Sequence, residues 1–294
     1  LLHDLFGSEA LLRAAGSGLV PPERMELLYR PWSGAADRLW TTADAPLLDE
    51  ARGWLGFRPG RKAADDIRTY GHIVVDEAQD LSPMELRMLS RRSLNGSMTI
   101  VGDIAQSTSA WAHDEWGSVL EHLPQKKPHR DTELTVGYRI PQPLMDLAGR
   151  VLTEAAPNLQ PARSVRTDGD PPRIVSGADI VGDAIAAAGV EHEAIGAGSV
   201  ALIVPRSLVD PIEARLAELE VDFGRATRSG LDQPLTVVPV ALVKGLEVDA
   251  AVVVEPARIV REEPQGMRSL YVALTRATKR LAVVHSEPLP QVLS

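Results

Sequence analysis

No cysteine occurs anywhere in the 294 residues. That absence removes disulfides, thiolate metal sites and cysteine nucleophiles together, and it fits a reducing compartment such as the cytoplasm. No apolar run approaches the roughly eighteen residues that argue for a membrane span, so no membrane partner is expected. The opening stretch, LLHDLFGSEALLRAAG, has neither the basic start nor the cleavage site of a secretory signal. Excess positive charge is missing too, the formal net charge being −9. A protein that grips nucleic acid mainly through phosphates carries a basic footprint. Here the basic clusters are small: Arg87, Arg91 and Arg92, then Lys126, Lys127, His129 and Arg130. They read as a solvated helix face and a charged linker. The seven histidines are scattered without metal-ligand spacing.

What is present is an ordinary globular balance, 44% apolar and 24% charged, in a length that suggests two domains. Residues 1–70 read as helices broken by glycine and proline. Strands then alternate with helical patterns, at Ile73–Val75, Met98–Val101, Arg173–Val175, Val200–Val204, Ala251–Val254 and Leu281–Val284. That alternation indicates an α/β fold with parallel sheets. Ser82-Pro83-Met84-Glu85 is a capping box with proline at the first helical position, and Asp210-Pro211-Ile212-Glu213 repeats its grammar. The Pro- and Lys-rich stretch after residue 124 places a boundary there, giving domains 1–130 and 131–294. Pro157 to Pro172 reads as a loop inside the second.

The chemistry starts at GHIVVDEAQDLSP, residues 71–83, where a buried-type strand runs into Asp76 and Glu77. In open α/β sheets ligands bind beyond the carboxyl ends of the strands. A carboxylate there can hold Mg²⁺, which prefers oxygen ligands and keeps several waters. A second one, a residue on, can orient or deprotonate an attacking water. The next strand, MTIVGD, leads to Gln106, whose amide can sense a phosphate or position water. Later, Lys244-Gly245-Leu246-Glu247 precedes the run AAVVVE, and LYVALTRA reads as an apolar helix with Arg276 near its end. An arginine in so apolar a segment needs an anionic partner or an exit to solvent. Together with Arg139 in GYR it supplies two cations to face the acids across a cleft. Arginines so placed on a transferring phosphoryl group are worth roughly 10³–10⁵ in rate.

DEAQD, GDIAQST, LTVGYR, VKGLE and LYVALTRA, in this order over residues 70–285, resemble motifs II to VI of superfamily 1 helicase-type ATPases of the UvrD/Rep group. The resemblance implies two RecA-like motor domains with ATP·Mg²⁺ between them, motifs II and III lying at 73–111. It implies that Asp76 holds Mg²⁺ and Glu77 activates water. Gln106 would sense the γ-phosphate, Arg139 and Arg276 would be arginine fingers, and Glu247 would meet the ribose. The KGLE turn would put Lys244 and Gly245 at the nucleotide.

Two departures narrow this. No G-x-x-x-x-G-K-[ST] occurs, so the loop that cradles phosphates is lacking. With no initiator methionine, the expectation is a first motor domain short of its N-terminal part. The strand-contacting positions also differ. UvrD-like helicases carry Thr and His before KGLE where this chain has Pro239 and Ala241, and QSTSAW keeps Trp111 without the family's tyrosine. Base stacking on an aromatic is worth about 1–3 kcal/mol; Trp111 is either such a platform or plain core. Sound ATPase motifs beside weak strand-binding ones resemble the HelD family, as do LLHDLFGSEALLRAA and LAVVHSEPLP. HelD motors act on bacterial RNA polymerase, the partner this implies. A UvrD-like 3′–5′ helicase acting on DNA and a partner-binding module without chemistry remain open beside it.

Overall fold

The computed structural model describes residues 2–31, 40–56, 67–124, 128–226 and 233–294; Lys126 and Lys127 lie outside them. The chain divides into two compact units. The first comprises Leu1–Val75, Leu81–Ile100 and Val119–Lys127, and the second Asp76–Asp80, Val101–Ser118 and Pro128–Ser294.

The first unit is helical with one small sheet. Its elements are α1 (Leu2–Gly7), α2 (Glu9–Gly16), α3 (Pro22–Leu28), α4 (Ala45–Leu55), β1 (Ile73–Val75), α5 (Pro83–Arg92) and β2 (Met98–Ile100). The Ser82 box forms as read: Ser82 Oγ accepts from Glu85 N, and Ser82 N donates to Glu85 Oε2 at 2.7 Å. β1 and β2 pair in parallel, Ile73 opposite Met98 and Val75 opposite Ile100. The arginines of α5 are not a solvated face. Arg87 meets Glu50 at 2.6 Å, and Arg91 and Arg92 each meet Asp49 of α4 at 2.6 Å. The charge pattern of one helix does not show its partner on another, which is why a solvated face was expected.

The second unit follows α6 (Trp116–Leu120) with β3 (Val136–Gly137), α7 (Gln142–Ala155), β4 (Arg163–Ser164), β5 (Arg173–Ser176), α8 (Ile180–Ile195), β6 (Val200–Val204), α9 (Val209–Glu218), β7 (Gly224–Arg225), β8 (Leu235–Pro239), β9 (Val248–Val254), α10 (Pro256–Glu262), α11 (Gly266–Leu274) and β10 (Ala277–His285). Six strands form an all-parallel sheet in the order β5-β10-β9-β6-β8-β7. Because side chains alternate along a strand, its residues serve two cores. Ala201, Ile203, Ala251, Val253, Leu281 and Val283 pack with α7 and α11. Val200, Leu202, Val204, Val252, Val254 and Val284 pack with α8 and α9. This double burial is what continuous apolar runs such as VALIV require.

Three local readings change. β8, LTVVP, is not among the expected strands; Pro239 is its last residue, past the end of its pairing with β7 at Val237. α9 does not start on an Asp210 cap. It runs on from the 3₁₀ turn Arg206–Leu208, with Leu208 in the N-cap place and no side-chain cap. α11 ends at Leu274, so Arg276 sits in the turn into β10 and not in the helix.

Candidate functional site

Every residue singled out for chemistry belongs to the second unit. Asp76 and Glu77 turn off the end of β1. Glu77 adopts a left-handed backbone, φ 54°, a conformation costing a non-glycine residue about 1–3 kcal/mol that persists only where its surroundings hold it. Its surroundings do. Asp76 Oδ1 accepts from Glu77 N at 2.8 Å, and the Gln79 amide, fully buried, donates to Glu77 Oε2 at 2.7 Å. Gln79 Oε1 accepts from Asp103 N at 3.1 Å, and its carbonyl accepts from Ser107 Oγ at 3.0 Å. Gly102 makes that approach possible, since a Cβ there would stand 2.2 Å from Gln79 Oε1.

The loop after β2 is fixed just as closely. Asp103 caps its turn by accepting from Ala105 N at 2.9 Å, and its other oxygen takes the Gln106 amide at 2.8 Å. That leaves Gln106 Oε1 for Arg276, which donates to it at 3.0 Å. Arg276 also donates to the carbonyls of Val272 at 3.0 Å and Leu246 at 3.4 Å. Burial pulls its guanidinium below the ordinary arginine value, opposed chiefly by Glu77, Tyr271 and Glu247. Tyr271 beside it is raised, by burial first and Asp103 second.

Lys244 lies in a turn that Gly245 makes possible with φ 76°. Its ammonium pairs with Asp80, reaches Glu77 Oε2 at 3.1 Å and donates to the Gln106 carbonyl at 3.1 Å. Three residues after Lys244, Glu247 pairs with Arg139, both half exposed. Glu77, Gln106, Lys244 and Arg276 therefore form one contiguous network, with the Arg139–Glu247 pair next to it.

Two placements depart from the sequence argument. The carboxyl-end rule locates the loops after β1 and β2, but Lys244, Glu247 and Arg276 stand before the amino ends of β9 and β10. Trp111 is 62% exposed, which excludes the core reading. Asp80, Gln79 and Asp103 are the participants that sequence reasoning left without a role; their only signal was a place inside DEAQD and GDIAQ. Among the described residues no group of three or more His, Cys, Asp or Glu could hold a metal ion. Exposed Asp76 thus offers a single carboxylate, suited to Mg²⁺ arriving on phosphate oxygens rather than to an all-protein cage.

Residues 234–284 match the family model of the UvrD-like helicase C-terminal domain. The matched segment lies in the second unit. Lys244, Gly245, Glu247 and Arg276 all fall within it. Among solved structures, the C-terminal domain of a possible DNA helicase from Lactobacillus plantarum WCFS1 is 22% identical over 54% of this chain and 92% of its own, with a TM-score of 0.40. Arterivirus nonstructural protein 10, a helicase solved with DNA, is 16% identical over 77% of this chain and 42% of its own, with a TM-score of 0.38. The same protein in a second structure gives 15%, 86%, 53% and 0.37. Among curated proteins nothing matches the chain. No helix among the described residues is long and apolar enough to cross a membrane.

Proposed function

We propose that the site is the acid-and-arginine part of an ATP-hydrolysing superfamily 1 motor, and that two RecA-like domains build it. The observation that carries this is the direct contact of Arg276 with Gln106, and of Lys244 with Glu77, inside one network. In this reading Asp76 holds Mg²⁺, Glu77 orients and deprotonates the attacking water, and Gln106 reads the γ-phosphate. Arg276 and Arg139 neutralise the charge that builds up in phosphoryl transfer. Lys244, Gly245 and Glu247 form the nucleotide-facing turn. Since the 294 residues contain no G-x-x-x-x-G-K-[ST], the phosphate loop comes from polypeptide outside them.

In this proposal the motor is HelD-like and uses ATP to remodel or recycle bacterial RNA polymerase. The acidic balance and the substitutions Pro239 and Ala241 support that reading. Exposed Trp111 favours a second one, a UvrD-like helicase stacking a base on that ring. Hydrolysis by a polypeptide extended to include the phosphate loop tests the site. Arg276→Ala should lower turnover by about 10³-fold or more with folding intact, and near-normal turnover would defeat the assignment. The 294-residue chain alone should be inactive; turnover there, abolished by Glu77→Gln, overturns the external phosphate loop. Strong stimulation by single-stranded DNA without polymerase binding selects the helicase reading, and binding to neither leaves a module of another kind.

A further inference from the structure

Asp80 has no part in the reading above, yet it is tied into the site from two sides. Its Oδ1 accepts from Thr108 N at 3.3 Å, which anchors it to the loop that carries Gln106. Its Oδ2 pairs with Lys244. An ammonium has three donors; Lys244 donates to Asp80 and to the Gln106 carbonyl, and it holds Glu77 Oε2 as an ion pair at 3.1 Å. Oε2 of Glu77 is thereby filled by Gln79 and Lys244, while Oε1 has no hydrogen-bond partner among the described residues. One cation thus stands between two carboxylates and touches only one edge of Glu77.

We infer that Asp80 is a positioning residue: it holds Lys244 to one side of Glu77 and so keeps Oε1 open for water. This rests on the ATP-site reading for its catalytic meaning but not for its geometry. Without Asp80, Lys244 keeps a single carboxylate and closes onto it, covering both oxygens, because nothing else on the network draws the ammonium away. Gln106 offers only a neutral carbonyl. Lys244 is 17% exposed in its present place, whereas Lys279, also paired with an aspartate, is 52% exposed and serves as an internal reference.

The experiment has two arms. In the first, acylation of lysines in the folded chain by an amine-reactive ester is read by mass spectrometry as the Lys244 to Lys279 ratio. Asp80→Asn and Asp80→Ser should each change that ratio by about five-fold or more, and Asp80→Glu should restore it to within about two-fold. The asparagine can still accept from Thr108 N through Oδ1 while the shorter serine gives that contact up, so agreement between the two neutral variants assigns the effect to the lost charge and not to a loosened loop. A ratio unchanged in both neutral variants, or not restored by Asp80→Glu, overturns the inference. In the second arm, with the phosphate loop present, Asp80→Asn should lower kcat about ten- to a hundred-fold with KM for ATP held within about three-fold. A rise in KM alone also overturns it. Absence of turnover in the unsubstituted protein counts against the ATP-site reading instead, and the acylation ratio still decides the placement of Lys244.

Discussion

The two units hold themselves together by different means. In the second, β6 and the centre of β9 are buried end to end, and helices cover both faces of the sheet. In the first, the strands are three residues long and, among the described residues, pair only with each other, and Val74 at the middle of β1 is 67% exposed. A two-stranded sheet with an open face contributes little by itself. What stands out there is charge: Asp49 and Glu50 of α4 against three arginines of α5, and Arg30 forked onto Asp44 with two contacts of 2.9 Å. Apolar burial weakens little with salt or acid, while ion pairs respond to both. The units should therefore fail under different conditions.

The sharpest way to break that contrast is to cut each unit where it is strongest. Ile203→Ala in β6 removes atoms with no exposure from a sheet packed on both faces. It should cost about 2–5 kcal/mol in denaturant unfolding, with no change in salt dependence. Asp49→Asn in α4 comes next. Burial pushes that carboxyl up, but Arg92 and Arg91 outweigh it and leave the group below its ordinary range. Losing the charge strands the partly buried Arg92 guanidinium, while Arg91 keeps Glu50, at a cost of about 2 kcal/mol that shrinks as salt is added. A salt-independent loss of that size would mean that the α4–α5 contact is apolar packing after all.

The same contrast explains how far the sequence could be read. VALIV and AAVVV announce buried strands because only a sheet covered on both faces uses such runs. LTVVP, equally buried in its middle, carries a threonine and a closing proline in place of a continuous apolar run. The motif order brought Asp76, Glu77, Gln106, Lys244, Glu247 and Arg276 into one list, but local pattern could not join them. Lys244 reaches Asp80 across 164 residues, and Arg92 reaches Asp49 across 43. Contacts at such separations follow from the topology, and no spacing rule reports them. The placement of Lys244, Glu247 and Arg276 before the amino ends of β9 and β10 was missed for a related reason. The rule for ligand sites in open sheets speaks of one end of a sheet, whereas these residues are carried by connections that return to the other.

Acid gives the finest test of the first unit. Asp44 is buried, and the Arg30 guanidinium lowers its carboxyl from 3.8 to about 2, against a smaller opposing push from burial. A depressed carboxyl stabilises the fold above its unfolded value and loses that contribution as pH falls through the folded one. Asp44 should thus contribute fully above about pH 5 and progressively less toward pH 2. Arg30 is over a third exposed and screens the pair with solvent, so the contribution should be on the order of 1 kcal/mol. Asp44→Asn should remove it at neutral pH and flatten the acid limb of the unfolding curve by that amount. An acid limb identical in the variant would show that the Arg30 fork contributes geometry without stability, and would turn attention to the α4–α5 cluster as the unit's acid-sensitive support.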